Sequence, residues 1–141
     1  MEIQNAEAGY LNVADLLIKK NYQLIRTIEL NNDRYKILKT NKDIFMVLFK
    51  KDFFMSFSKF FPEEVGVGES VNVEDLKKAI SPEIGVRQLV FIYPSGHIYK
   101  ISVNEFLLYS HKRTVKEGKE VRSVNVKHLI RWNPEQEALT E

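Results

Sequence analysis

DRYKILKTNKDIFMVLFKKDFFMSFSKFF, residues 33–61, is the stretch from which the fold is read. At its centre Ile44 to Phe49 are six apolar residues in a row, bracketed by Asp43 on one side and by Lys50, Lys51 and Asp52 on the other. An uninterrupted run of β-formers closed by charge predicts a strand buried on both faces. The charged end of such a strand is a place where sites form.

Working outward toward the amino end, Asn41-Lys42-Asp43 reads as a turn, and Arg34 to Thr40 alternates as a strand, Tyr35 and Ile37 against Leu38 and Thr40. Asn31-Asn32-Asp33 is a second turn, preceded by a strand over Tyr22 to Leu30. The three strands form a meander. Before them, Asn12 with Asp15 predicts a helix start; Val13, Leu16 and Leu17 line one face, and Asn21 serves as a left-handed stop after Lys19-Lys20.

Toward the carboxyl end, Phe53 to Phe61 reads as a strand running into a mobile loop from Pro62 to Val71. Asn72 and Asp75 open a helix through Leu76, Ala79 and Ile80 that Ser81-Pro82 stops. Gln88 to Tyr93 and His97 to Ile101 make a hairpin about Pro94-Ser95-Gly96. Ser102 and Glu105 cap a helix from Val103 to about Arg113, with Phe106, Leu107 and Ser110 inward and Lys112 and Arg113 in its last turn. After Gly118, Val121 to Val126 reads as a last strand, docked by Val124, Val126, Leu129 and Trp132. The expected fold is α/β (α+β), a mixed central sheet with a three-strand meander, flanked by helices.

The 141 residues suit one domain, 1–141, with a core at about 12–113, a basic segment at about 111–131 and an acidic tail at 132–141. A hydrophobic content of 44% beside 28% charged residues is that of a folded soluble protein. No apolar run reaches the roughly 18 residues that cross a bilayer, and Met1 to Asn12 lacks the basic start of a signal peptide. The chain has no cysteine, which removes disulfides, thiolate metal sites and thiol nucleophiles together. An intracellular, cytoplasmic protein with no membrane association is expected. The net charge is only +2, but Lys112, Arg113, Lys116, Lys119, Arg122, Lys127 and Arg131 face only Glu117 and Glu120 between residues 111 and 131. A segment of about +5 suits a polyanion, DNA or RNA; it also describes a solvated surface.

His97, His111 and His128 stand at no metal-ligand spacing, Ser95-Gly96-His97 reads as turn chemistry, and Gly66-x-Gly68 lacks the Lys-Ser/Thr of a phosphate cradle. Phe53, Phe54, Phe57, Phe60 and Phe61, interleaved with Lys50, Lys51 and Lys59, fit either base stacking or a core. Asp33 opens the second strand and Lys50 and Lys51 close the third, and an antiparallel hairpin makes these neighbours. A carboxylate there can hold a divalent cation while a lysine orients an attacking water; an ordinary ion pair at the sheet edge fits as well.

The order helix, three-strand meander, helix, strand, with Asp33 and Lys50 so placed, resembles the PD-(D/E)XK nuclease-like superfamily, archaeal resolvases and restriction-endonuclease-like members, over roughly residues 12–113. The resemblance implies phosphodiester cleavage dependent on Mg2+ or Mn2+ in active members, with Asp33 as the metal-binding aspartate and Lys50 as the lysine. Leu48 stands where the second acid is expected, Asn32 where a proline is usual, and Tyr10 to Asn12 where many resolvases carry a glutamate. Asp43, Asp52 and Glu29 are the candidates for a substitute acid. The leading expectation is a nucleic-acid-binding protein with catalysis lost or rearranged, contacting phosphates through Lys51 and the basic segment. An active metal-dependent endonuclease and a protein-interaction or subunit module, for example a homodimer with Phe residues at its face, remain alternatives.

Overall fold

The computed structural model describes residues 5–29, 35–50 and 68–132. Among the described residues the architecture is mixed α+β: three helices, a six-stranded mixed sheet in the order β1 (Leu24–Glu29), β2 (Tyr35–Thr40), β3 (Ile44–Phe49), β5 (Gln88–Ile92), β6 (Ile98–Ser102), β9 (Ile130–Arg131), and a three-stranded antiparallel sheet in the order β4 (Gly68–Asn72), β8 (Glu120–Asn125), β7 (His111–Thr114).

Helix α1 (Ala6–Lys19) is capped by Asn5, about two turns before the expected Asn12, because the Asn5 side chain accepts from the Ala8 N–H at 2.8 Å and the intervening alanines favour helix. It ends as expected at Asn21, whose φ of 67° is left-handed. The Asn21 N–H reaches the Ile18 carbonyl and the Tyr22 N–H the Leu17 carbonyl, each at 3.0 Å, the paired bonds of a Schellman stop. Strands β1 (Leu24–Glu29), β2 (Tyr35–Thr40) and β3 (Ile44–Phe49) form the meander. The β2–β3 turn is tied by Thr40, whose hydroxyl donates to the Asp43 carbonyl at 2.7 Å and accepts from the Asp43 N–H at 3.0 Å. The strand expected at Phe53 to Phe61 lies outside the described residues.

The stretch read as the end of a mobile loop is instead β4 (Gly68–Asn72), and it pairs with β8 (Glu120–Asn125). Glu-Ser-Val-Asn alternates inward and outward there, with Glu69 and Val71 buried. Asn72 then caps α2 (Val73–Ala79) through a 3.1 Å bond from the Asp75 N–H. The chain crosses to β5 (Gln88–Ile92), parallel to β3, and turns back in β6 (Ile98–Ser102).

Helix α3 (Val103–Tyr109) is shorter than expected. Its Ser102 cap holds, accepting from the Glu105 N–H at 3.2 Å. Ser110 is extended, however, and His111 to Arg113 enter β7 (His111–Thr114), which pairs with β8. Lys112 and Arg113 therefore sit on an edge strand and not in a helix's last turn. Ladder bonds with β8 outweigh the helical period there, and Leu107, expected inward, is 39% exposed. The β7–β8 turn takes Glu117 and Gly118 through left-handed φ of 68° and 74°. A short 3-10 turn, Val126–His128, leads to β9 (Ile130–Arg131) on the edge beside β6.

The central strand does what its composition predicts. Phe45, Val47 and Phe49 pack toward α1 with Val13, Leu17, Val90 and Trp132, while Met46 and Leu48 join Leu76, Leu89, Phe91, Phe106 and Val124 on the opposite face. Two cores thus sandwich one sheet, and the small sheet with α2 and α3 covers the second. The last described residue, Trp132, is anchored by its N–H to the Ile98 carbonyl at 2.8 Å and stacks on Phe45 with ring centroids 6.0 Å apart.

His97 at the β5–β6 turn has its pKa lowered, first by burial and then by the Arg131 charge. The folded state therefore favours the neutral ring. Above the unfolded value of 6.5 both states are neutral; as pH falls below it, the unfolded chain takes the proton first and stability drops. Urea midpoints at about pH 7.5 and 5.5 are expected to differ less in His97→Asn than in the wild type, by the share of the pH dependence that linkage assigns to this ring.

Candidate functional site

Parallel β3 and β5 end side by side, and the residue after each points to the same face. The Lys50 N–H continues the ladder to the Ile92 carbonyl at 2.9 Å, and Tyr93 follows the inward-facing Leu89 and Phe91. Glu69 reaches them from β4, pointing inward with Val71. The Tyr93 hydroxyl donates to Glu69 Oε2 at 2.7 Å. Lys50 Nζ donates to the Ser70 carbonyl at 2.7 Å and stands 3.5 Å from Glu69 Oε1. The glutamate side chain is 3% exposed and that of the lysine 19%. A carboxylate so deeply buried is tolerable because each oxygen meets a donor, one of them cationic. The cluster occupies the carboxyl ends of the parallel pair, where open α/β sheets place their ligands. The bonds among Lys50, Glu69 and Tyr93 tie the small sheet to the large one.

Sequence reasoning missed Glu69, since it lay in a stretch read as loop. The signal was its alternation with Val71 and Val73. Of the substitute acids considered, Asp43 lies at the other end of β3, about 23 Å along the strand at about 3.3 Å per residue. Its carboxylate is engaged by the Ile44 N–H at 3.0 Å, Gln88 Nε2 at 3.3 Å and Arg87 at 3.8 Å. Glu29 pairs with Lys36 at 3.8 Å. Asp33, Lys51 and Asp52 lie outside the described residues. Leu48 is fully buried, on the face of β3 that carries Lys50. Among the described residues no three His, Asp or Glu side chains gather as a metal-holding group.

The outer face of the small sheet is polar. Register places His111, Ser123 and Ser70 in one row. The two serine hydroxyls bond at 2.7 Å, and Arg113 lies over them, Nε to Ser123 Oγ at 2.9 Å and Nη2 to Ser70 Oγ at 3.3 Å. These partners are neutral, so they orient the guanidinium without neutralising it. Arg122 points the other way and closes the carboxyl end of α3, its Nε bonding Ser110 Oγ at 2.8 Å and its Nη2 the Ser110 and Leu107 carbonyls at 3.1 and 3.3 Å. Lys112, Lys119, Lys127 and Arg131 are exposed. Lys119 stands 3.9 Å from Glu117, both in solvent, a pair of little worth. Lys116 lies in the turn between β7 and β8. Among the described residues, no carboxylate pairs with Lys112, Arg113, Lys127 or Arg131.

Comparison with protein-family models, with curated proteins and with solved structures finds no match for this chain. Among the described residues no helix is long and apolar enough to cross a membrane.

Proposed function

We propose that this protein binds nucleic acid through the β7–β8 hairpin, on a restriction-endonuclease-like framework in which the lysine that closes β3 serves the fold. The observation that carries the reading is the exposed edge strand β7, with Lys112 and Arg113 unopposed by carboxylates among the described residues and Arg113 pre-oriented by two serines. An oriented guanidinium loses little freedom when it takes a phosphate oxygen, and its planar fork matches that geometry. Support for the framework is the order helix, three-strand meander, helix, strand, with β5 parallel to β3. Support for lost or rearranged catalysis is Lys50, whose ammonium is turned to Ser70 and Glu69, together with Leu48 in the core.

Binding of labelled DNA and RNA, followed by anisotropy across a salt series, tests the proposal. Affinity is expected to fall steeply with salt, and the double variant Lys112→Ala/Arg113→Ala to flatten the log–log slope by about 2 on duplex, roughly 0.9 per phosphate contact. Absence of binding at low salt would sink the reading and leave a protein-interaction or subunit module. Cleavage of the same samples on adding Mg2+ or Mn2+ would move it to an active metal-dependent endonuclease.

A further inference from the structure

We infer that Tyr109 and His128 form a stacking platform for an unpaired base, which makes single-stranded nucleic acid the preferred ligand; the inference rests on the nucleic-acid reading above. The two rings lie face to face, centroids 4.1 Å apart and planes within 4°. Tyr109 is the last residue of α3 and His128 the last of the 3-10 turn after β8, so two separate elements present them. Tyr109 is nonetheless 46% exposed. A ring pair whose task was burial alone would be covered, as Phe45 and Trp132 are in the core.

The surroundings suit a nucleotide. Lys127 adjoins His128, and β7 starts just beyond Tyr109, bringing the Lys112 backbone within about 10 Å at some 3.3 Å per residue. Arg122 holds the junction rigid through its bonds to Leu107 and Ser110. The acidic residue of α3, Glu105, is turned back to the Ser102 hydroxyl at 3.0 Å, in the helix's first turn. Every base has a π-face, so a stacked pair with Tyr109 exposed beside cations accepts bases without reading sequence. In duplex DNA those faces are already stacked on one another and closed to an aromatic ring.

The experiment compares an oligothymidylate with a duplex of equal length, using the full chain at low salt. The wild type is expected to bind the single strand more tightly. Tyr109→Ala is expected to weaken single-strand binding by on the order of tenfold, within the roughly 1–3 kcal/mol per stacked base, and to leave duplex binding unchanged. Tyr109→Phe keeps the ring and is expected to keep the affinity. Equal loss on both ligands, or no loss on the single strand while Lys112→Ala/Arg113→Ala still weakens it, would overturn the platform and leave the basic hairpin standing. A wild type that binds neither ligand overturns both readings together.

Discussion

Replacing Leu48 by Glu is expected to cost more than about 4 kcal/mol of stability and to lower the urea midpoint further than Leu48→Ala does. Leu48 has no exposed surface and sits among Leu76, Leu89, Phe91 and Phe106. An acid there would stand on the same strand face as Lys50, whose ammonium already balances Glu69. One carboxylate of the two would lack a cation, or would stay protonated in an apolar pocket. Either outcome costs more than about 4 kcal/mol, the scale of a buried unpaired charge, against the roughly 5–15 kcal/mol that holds a domain together. Leu48→Ala removes only packing and is expected to cost about 2–5 kcal/mol while the variant stays folded. Far-UV circular dichroism and urea titration separate the two. A Leu48→Glu chain with the wild-type midpoint would mean that the interior has room and solvation for an acid at that place, and the account of Lys50 as already committed would fall.

The second large effect is expected at the Lys50–Glu69 pair. Lys50→Met should destabilise by about 3 kcal/mol, because it withdraws the cation from a carboxylate that cannot reach water. Adding Glu69→Gln removes the stranded charge and keeps an acceptor for Tyr93, so most of that loss should return. The cycle is expected to show a coupling of about 2 kcal/mol, within the range for residues in direct contact. Two additive single effects would show that lysine and glutamate act separately. The pair would then not be the clamp between the two sheets that its geometry describes.

Much of the fold was legible because the residues that decide it act locally. Ile44 to Phe49 announced a strand buried on both faces, and Asn21, Asn72 and Ser102 marked helix ends through bonds to their own neighbours. What escaped was decided at a distance. Glu69 and Val71 look like loop until β8 supplies the ladder, and His111 to Arg113 continue a helical period until the same strand captures them. Asn12 offered a good cap in isolation, but Asn5 and two alanines extended the helix past it. The basic segment was visible as charge. That Arg122 turns inward to close a helix while Arg113 stays out over two serines depends on which face of β8 and β7 each occupies. The Lys50–Glu69–Tyr93 cluster draws on three strands, and no linear spacing encodes it.

The six-stranded sheet also ends in a particular way on each side. At one border β1 carries a register shift between Leu24 and Arg26, and both Arg26 and Glu29 on it are exposed. At the other, β9 offers two residues only, with Arg131 beside Ile130. A kinked, charged border and a border too short to template a neighbour are two of the ways natural sheets refuse further strands. Among the described residues, the most aggregation-prone run, Ile44 to Phe49, is thus held between β2 and β5, three strands from the short border and two from the kinked one. The fold keeps this segment in the interior of the sheet, where a second chain would have to displace β2 or β5 to pair with it.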